Sequence, residues 1–600
     1  MLRSRILTAA VLLSVIAGWP HSASAQTPQF TSLFVFGDSL SDSGNIFALT
    51  GGASPPSPPY FNGRFSNGPV WVENLAPALG FSFNRATNFA LGGAQSGAAS
   101  PIDGLNQIGG FLAAGGAIPA GALTVVWIGS NDFLINAATT PPGVLIGSTV
   151  TNVAASVTLL AGAGANTFLV PNLPRFGDSP GGAATGLAAA LNGLAGLYNN
   201  ALHSTMNGLQ FGLGVRIMVM DVEGLFADAL AAPGLYGLSN TAIPCLTPAG
   251  PTGACPTAAA AASALFWDAI HPTAATHSIL AEFATATLAQ FEHPRNFSAA
   301  SFLGPIMMDN HFESIKGRLI NLRSTGNAAT GAYGAYSYAD GDRSGTSTLA
   351  PFDFDFSTIT AGADAAISNN FVIGGAITFV SGDSVVEGAG PSTDFDSIIG
   401  TAYTSYYDNS ISLDLIAAFS ADEYGFTRST SFTPRPIANA ETKGDSLFVS
   451  LEAGYTLSND GLRIGPVAGI RYVNSDMDGF GETGAAMLNV ISQDREADGW
   501  IGSVGIEIAG SFGVDGAEIS PYARVSYNTE LSKLKPEIVL LTSTSQPLLI
   551  TAEQQHDDRV TAQAGLTFRL GREVHITVAY QGTLVHGDQH GIVGRLSYGF

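Results

Sequence analysis

Apolar residues follow two different periods along the 600-residue chain. In the first half, short apolar runs alternate with stretches rich in Ala and Leu. Runs of this kind are typical of buried strands, and strands that alternate with helices predict an α/β domain whose parallel sheet has helices on both faces. The four predicted strands are Ser32–Phe36, Thr124–Ile128, Thr167–Val170 and Val215–Asp221. The leucines that predict one broad helix face are Leu187, Leu191, Leu194, Leu197 and Leu202.

From about Thr330 to Phe600 the period changes to two. Val560–Phe568 and Val574–Tyr580 alternate in this way, and Leu462–Val467 begins the same pattern before Pro466 interrupts it. The segments run about 9–12 residues, which is the length of strands that cross an outer membrane. About 12 of them predict a transmembrane antiparallel β-barrel, and an extracellular β-sandwich is the alternative interpretation.

Two further features favour the barrel over the sandwich. The chain stops at a strand that carries Ile592, Leu596, Tyr598 and Phe600 on one face, although Gly594 breaks the alternation. Aromatic residues also recur near the segment ends, as expected at membrane interfaces. These aromatic residues are Tyr403, Tyr406, Tyr407, Tyr455, Tyr472, Tyr522 and Tyr580.

The first 25 residues have the pattern of a signal peptide. Arg3 and Arg5 precede the apolar run Ile6–Ala17, and Ala23–Ala25 has the small residues of a cleavage site. An uncleaved membrane anchor is the alternative, but the run is short for a spanning helix. No later apolar run approaches 20 residues, which argues against helical membrane spans. We therefore expect an exported protein.

Charge and cysteine content exclude several classes of protein. The chain has 47 acidic and 24 basic residues and a formal charge of −23, which argues against a nucleic-acid partner. Cys245 and Cys255 are the only cysteines, too few for a disulfide-rich scaffold or an all-cysteine zinc site. Export allows a disulfide between them, and two free thiols are the alternative. No cluster has zinc-ligand spacing, so we expect neither a metal nor an organic cofactor.

A further segment, Ser301–Arg323, separates the two halves. Its apolar residues have approximate helical spacing, and Lys316, Arg318 and Arg323 lie beside them. The segment is either a linker helix on the surface or a helix that threads the polar lumen of the barrel. The apolar positions are Ile306, Phe312, Ile315, Leu319 and Leu322.

A serine and a distant histidine are candidates for nucleophilic catalysis. Ser39 follows the first predicted strand, and ligands bind at the carboxyl ends of strands in open α/β sheets. A serine hydroxyl needs a base to take its proton, and His271 can serve. Asp268 lies three residues before His271, where its carboxylate can bond the other ring nitrogen.

Two more stretches can stabilise the negative charge that develops on an ester carbonyl oxygen. Asn88–Ala94 places backbone N–H groups in a Gly turn, and Trp127–Asp132 follows a predicted strand. The candidate donors of this oxyanion hole are the Ser39 and Gly93 N–H groups and the Asn131 side chain.

Together these blocks resemble the GDSL family of serine hydrolases, in the SGNH superfamily. The resemblance covers Phe30 to about Ala289, and includes Gly63–Trp71 and Phe168–Pro174. It implies a parallel sheet flanked by helices, with Ser39 as nucleophile, His271 as base and Asp268 as its orienting carboxylate. It also implies an oxyanion hole of Ser39, Gly93 and Asn131, in which Gly92 could take the place of Gly93.

The second half resembles autotransporter β-domains, so the whole chain resembles GDSL autotransporter esterases of Gram-negative bacteria. The resemblance implies an outer-membrane protein whose passenger domain is exposed on the cell surface. The implied partners are an ester or lipid substrate, the outer membrane and its assembly machinery, which would read the Phe600 end. The expected domains are a signal peptide (1–25), an esterase passenger (26–295), a linker helix (296–329) and the barrel (330–600).

The predicted function is hydrolysis of carboxylic esters through an acyl-serine intermediate, by a serine esterase or lipase anchored at the surface. Two alternatives stay open. The first is a carbohydrate acetylesterase, because the superfamily also removes acetyl groups from sugars. The second is a non-enzymatic adhesin with an inert hydrolase fold.

Overall fold

The computed structural model describes residues 30–324, 330–388, 390–408, 410–459, 462–514, 517–554, 558–571, 573–585 and 588–600. The predicted signal peptide, residues 1–25, lies outside the described residues. The chain forms an N-terminal domain (residues 30–302), a long helix and a C-terminal barrel (residues 330–600).

Four parallel strands form the sheet of the N-terminal domain, in the order β1-β2-β3-β4. Side chains alternate between its faces, so that Val35 and Val125 join one core while Phe36 and Val126 join the other. Apolar residues on both faces produce the short apolar runs in the sequence and confirm the predicted α/β class. The strands are β1 (Ser32–Gly37), β2 (Ala122–Trp127), β3 (Thr167–Pro171) and β4 (Arg216–Met220).

Helices cover both faces of this sheet, with α2, α8 and α10 on one face and α3, α5 and α7 on the other. The helices of the domain are α1 (Asn45–Leu49), α2 (Trp71–Ala78), α3 (Gly104–Ala113), α4 (Ser130–Asn136), α5 (Pro142–Gly162), α6 (Pro180–Ala184), α7 (Ala188–Leu213), α8 (Val222–Ala231), α9 (Ala258–Ala262), α10 (Ala274–Ala289) and α11 (His293–Phe297).

Two sequence-based expectations about these helices are wrong in part. Leu187 precedes α7 and is exposed, and Leu197 is also exposed because about 100° per residue turns it away from the buried Leu202. Helix α5 has 21 residues and a mean hydropathy of 1.7 in its most apolar window, so a later segment does reach the length and apolarity of a spanning helix. It packs against α7 and α3 instead.

The second half is a closed antiparallel barrel, which confirms the predicted architecture of about 12 strands. Each strand pairs with the next, and the last strand pairs with the first, for example Ile592 with Tyr338. The strands are β5 (Gly331–Arg343), β6 (Phe352–Ser368), β7 (Phe371–Val386), β8 (Ser392–Tyr407), β9 (Ile411–Ser429), β10 (Ile437–Tyr455), β11 (Leu462–Met477), β12 (Arg495–Gly510), β13 (Ala517–Glu530), β14 (Asp558–Leu570), β15 (Val574–Val585) and β16 (Asp588–Gly599).

The barrel strands have 12 to 19 residues, and most of them are longer than the predicted segments of about 9–12 residues. They continue past the apolar outer band, where cross-strand neighbours become acidic: Asp340 faces Asp355, and Asp355 faces Asp383. The sequence pattern missed these extensions because it followed the apolar alternation alone. On β16, Ile592, Leu596, Tyr598 and Phe600 are all exposed on the outer face, as predicted.

Two other expectations about the barrel are corrected. Pro466 does not interrupt β11. Pairing of β11 with β10 ends at Val467, so the backbone N–H that proline lacks is not needed for that pairing. Tyr403, Tyr407 and Tyr522 are buried and face the interior, so at most part of the aromatic series faces outward as predicted. Alternation alone does not say which aromatic residue points outward.

The helix α12 (Leu303–Ser324) lies inside the barrel, so the structure favours the second of the two interpretations of this segment. Its basic side chains form buried ion pairs with inward-facing acids of the strands. Burying a charge without a partner is costly, so these pairs match the helix to this lumen. The pairs are Lys316 with Asp414 and Glu452, Arg318 with Asp364, and Arg323 with Asp414 and Glu507.

Loops of the barrel hold the N-terminal domain. The carboxamide of Gln546, between the short strands Glu537–Leu541 and Pro547–Thr551, accepts the Val219 N–H at 3.1 Å and donates to the Ile217 carbonyl. It therefore covers the free edge of β4, which would otherwise present unpaired backbone groups. An ion pair between Arg435 and Asp228, at 2.6 Å, adds a second connection.

A disulfide joins Cys245 and Cys255 in the structure, which agrees with the bonded pair rather than with two free thiols. The bond closes a loop of the N-terminal domain in which Cys245 is buried.

Candidate active site

The chain turns sharply after β1 and places Ser39 at the carboxyl end of the sheet. The N–H groups of Ser41 and Asp42 donate to the Asp38 carbonyl, and the Leu40 N–H donates to Asp38 Oδ1 at 3.0 Å. Gly37 is needed before this turn because a Cβ there would lie 2.6 Å from the Trp127 carbonyl oxygen. Ser39 is therefore held in a rigid, buried turn.

The structure brings Ser39, His271 and Asp268 into one hydrogen-bonded chain. The distance from Ser39 Oγ to His271 Nε2 is 2.9 Å, and that from His271 Nδ1 to Asp268 Oδ2 is 2.7 Å. Asp268 Oδ1 accepts the N–H groups of Ile270 and His271. Burial opposes ionisation of Asp268, but the adjacent His271 and these hydrogen bonds lower its pKa to about 2. The carboxylate is thus charged and oriented toward the imidazole.

The segment Asn88–Ala94 runs beside β1 and brings its Gly turn to the nucleophile. The Phe89 N–H donates to the Val35 carbonyl at 2.8 Å, and the Leu91 N–H donates to the Gly37 carbonyl. The Gly92 N–H is occupied, because it donates to Asp42 Oδ2 at 2.9 Å. Among the described residues, neither the Ser39 N–H nor the Gly93 N–H has a protein acceptor. These two donors are available to a ligand.

Asn131 lies in the first turn of α4, immediately after β2. Its side-chain Nδ2 donates to the Ala94 carbonyl at 2.9 Å and ties the end of β2 to the Gly turn. The next residue, Asp132, accepts the Ser96 N–H and hydroxyl, both at 2.7 Å. The three predicted oxyanion groups therefore lie on segments that are bonded to one another.

A cavity opens beside Ser39 and His271. Its wall is mostly apolar, and its large apolar side chains include Leu134, Phe176, Phe226, Phe266 and Ile270. Phe226 and Phe266 are buried with their ring centroids 6.4 Å apart, whereas Leu134 and Ile270 are exposed. The cavity therefore has an aromatic wall and an apolar rim, which suits an apolar chain next to the nucleophile.

Two polar residues of the site were not identified from the sequence. Asp38 is buried in the cavity wall, its Oδ2 has no hydrogen-bond partner among the described residues, and burial raises its pKa to about 7 although the Leu40 N–H partly offsets this. The sequence signal that could have identified Asp38 is its position next to Ser39. Tyr60 donates its hydroxyl to Asp268 across 208 positions, and no local pattern indicates that contact.

The N-terminal domain has a parallel α/β fold with hydrogen-bonded Ser, His and Asp side chains, and it is attached to a closed barrel. This combination defines a serine hydrolase displayed by an outer-membrane anchor. Comparison with known families gives the same result for each half. Residues 33–284 match the GDSL-like Lipase/Acylhydrolase family model, and residues 321–581 match the Autotransporter beta-domain model. The first half of the chain therefore carries a GDSL lipase domain and the second half an autotransporter β-domain, and the protein is a surface-displayed carboxylic ester hydrolase.

Two relatives agree with these assignments. The chain is 29% identical to a phosphatidylcholine-sterol acyltransferase of Aeromonas hydrophila. The alignment has 332 positions and covers 47% of this chain and 97% of the relative. It is 24% identical to Lipase 1 of Photorhabdus luminescens, in an alignment of 628 positions that covers 89% of this chain and 90% of the lipase. Among solved structures, the translocator domain of autotransporter NalP from Neisseria meningitidis is 15% identical, with a TM-score of 0.39, over 50% of this chain and all of that one.

Proposed function

We propose that Ser39 is the nucleophile of this hydrolase, with His271 as general base and Asp268 as the carboxylate that orients it. The observation that carries the proposal is the continuous contact from Ser39 Oγ through His271 to Asp268, between residues 232 positions apart. In the first step, Ser39 Oγ attacks the ester carbonyl carbon while His271 Nε2 takes the hydroxyl proton. Asp268 stabilises the imidazolium that forms.

The carbonyl oxygen becomes an oxyanion in this step. The N–H groups of Ser39 and Gly93 and the amide of Asn131 stabilise that charge, since preorganised donors lower the barrier most where charge develops. The occupied N–H of Gly92 favours Gly93 as the donor. Collapse of the intermediate expels the alcohol, which takes the proton from His271, and leaves Ser39 acylated.

Deacylation repeats the same chemistry with water. His271 removes a proton from the water as its oxygen attacks the acyl carbon, and the second oxyanion uses the same donors. Collapse breaks the bond to Ser39 Oγ, which recovers its proton from His271. The products are a carboxylic acid and the free enzyme.

The substrate we propose is a fatty acyl ester. The cavity beside Ser39 is lined by Phe226, Phe266 and Leu134, and an apolar chain gains about 0.8 kcal/mol for each methylene it buries. A wall that is mostly apolar suits a longer acyl chain better than an acetyl group on a sugar, which disfavours the carbohydrate acetylesterase alternative. The Ser39–His271 contact likewise disfavours an inert adhesin.

Intact cells provide the direct test of this function. Cells that carry the chain should hydrolyse p-nitrophenyl octanoate with a higher kcat/KM than p-nitrophenyl acetate. External protease should remove the activity, because the N-terminal domain is outside the barrel. Activity that appears only after lysis would contradict surface display, and equal kcat/KM for both esters would contradict a fatty acyl substrate.

Asn131→Ala is expected to lower kcat by about 10²–10³-fold with little change in KM, because an oxyanion donor acts mainly in the transition state. The measurement is steady-state kinetics on p-nitrophenyl butyrate. Asn136→Ala is a matched control: it removes an amide on the same helix that donates to the Gln95 side chain instead. A loss confined to KM would make Asn131 a substrate-binding residue.

We also propose that the outer-membrane assembly machinery recognises the last strand, β16. Phe600 is exposed at its end, and its backbone N–H donates to the Thr330 carbonyl at 2.9 Å. The ring is therefore accessible while the backbone is already fixed at the barrel seam.

A further inference from the structure

Tyr60 contacts the carboxylate of the proposed catalytic chain from a distant loop. It follows the proline-rich stretch Ser54–Pro59, and its hydroxyl donates to Asp268 Oδ2 at 2.6 Å. Burial and the adjacent carboxylate raise the pKa of the Tyr60 hydroxyl, so it stays protonated and continues to donate. This is a short hydrogen bond to a charged group, a class stronger than neutral pairs.

Four donors surround the Asp268 carboxylate, and the imidazole Nδ1 lies within bonding distance of both oxygens, at 3.0 Å from Oδ1 and 2.7 Å from Oδ2. Oδ1 accepts the backbone N–H groups of Ile270 at 2.9 Å and His271 at 2.8 Å. Oδ2 accepts the imidazole Nδ1–H at 2.7 Å and the Tyr60 hydroxyl. Without Tyr60, the imidazole would be the only donor to Oδ2, and the other restraints on the carboxylate would be the two backbone N–H groups of its own turn at Oδ1.

A second contact connects Tyr60 to the imidazole through ring packing. The Tyr60 ring packs edge-on against Phe65 with centroids 6.0 Å apart, and Phe65 packs against the His271 ring at 5.0 Å. The loop that carries both aromatic residues is itself anchored, because Arg64 pairs with Glu73 at 2.6 Å and Ser57 Oγ donates to the Tyr60 carbonyl. Tyr60 is thus held rigidly where it meets the carboxylate.

We infer that Tyr60 is a positioning residue for ester hydrolysis: its hydroxyl fixes the Asp268 carboxylate in the orientation that holds His271 against Ser39. The inference rests on the proposed function, because it gives Tyr60 no role except through Asp268. Tyr60 does not line the cavity, so its removal should leave substrate binding unchanged.

A double-mutant cycle tests this positioning role. The variants are Tyr60→Phe, which removes the hydroxyl and keeps the ring, Asp268→Ala, and the two combined, each normalised to active sites titrated with a fluorophosphonate. Tyr236→Phe is the matched control, because it removes a hydroxyl that donates to Asp228 at 2.5 Å, and neither of these two residues lines the cavity. The substrate is p-nitrophenyl butyrate.

We expect Tyr60→Phe to lower kcat about tenfold with KM within about twofold of wild type, and Tyr236→Phe to keep the wild-type kcat. In the Asp268→Ala background, the added Tyr60→Phe should change kcat by less than about twofold, because its target is gone. Wild-type kcat in Tyr60→Phe, a loss confined to KM, or an equal loss in both backgrounds would overturn the inference. Wild-type kcat in Asp268→Ala would instead overturn the proposed catalytic chain.

Discussion

Replacement of Ser39 by Ala is expected to abolish ester hydrolysis, by at least about 10⁴-fold in kcat. The change removes the Oγ that lies 2.9 Å from His271 Nε2 and leaves the backbone of the turn intact. The donors at Gly93 and Asn131 stay in place, but without a nucleophile no acyl-enzyme can form. Folding and export should be unaffected, because no bond that holds the turn uses Ser39 Oγ.

The measurement combines whole-cell hydrolysis with covalent labelling. A fluorophosphonate probe should label the wild type and fail to label Ser39→Ala, while an antibody detects equal amounts of both proteins at the surface. Ser278→Ala is the control, because that serine is exposed on α10 and does not line the cavity. Labelling that persists in Ser39→Ala would assign the reaction to another serine.

Deletion of Ile592–Phe600 is expected to remove activity from the cell surface although every proposed catalytic residue remains. These residues form most of β16, which pairs with β15 on one side and β5 on the other. Their loss would open the barrel and leave two strand edges with unpaired N–H and carbonyl groups, and lipid cannot satisfy these groups. Each unpaired group costs several kcal/mol in hydrocarbon.

Outer-membrane fractionation, a heat-modifiability gel and whole-cell hydrolysis of p-nitrophenyl butyrate together measure this effect. The control is Phe600→Ala, which keeps every backbone pair of β16, so that any molecule reaching the membrane should be a heat-modifiable, active barrel. A lower amount of that variant would support recognition of Phe600 by the assembly machinery. Full surface activity in the deletion variant would contradict a closed barrel as the anchor.

The two periods in the sequence predicted both folds because each period is a local property of an element. Strand β1 is buried on both faces, so its sequence reads as one apolar run, whereas β16 alternates because one face meets lipid and the other the lumen. The same local reasoning failed for Tyr403 and Pro466. The neighbouring strands decide whether a tyrosine faces the lumen or the lipid. They also decide whether a proline lies where a backbone N–H is needed for pairing.

The candidate residues Ser39, Asn131, Asp268 and His271 were identifiable because each lies in a short motif at the end of a predicted element. The choice between Gly92 and Gly93 was not, since it depends on which N–H the distant Asp42 carboxylate accepts. Tyr60 was missed for the same reason. Its hydroxyl bonds Asp268, 208 positions later, and a proline-rich loop gives no periodic signal.

The sequence by itself determined a two-part protein, an exported α/β hydrolase followed by a membrane barrel, with candidates for its nucleophile and base. Periodicity and short motifs extend over only a few residues, so they can be recognised in a single sequence. The tertiary structure alone decided that α12 lies in the lumen, that Gln546 covers the edge of β4 and that Tyr60 holds Asp268. Those contacts join residues up to 327 positions apart, and they form only because packing of whole elements brings their side chains within bonding distance.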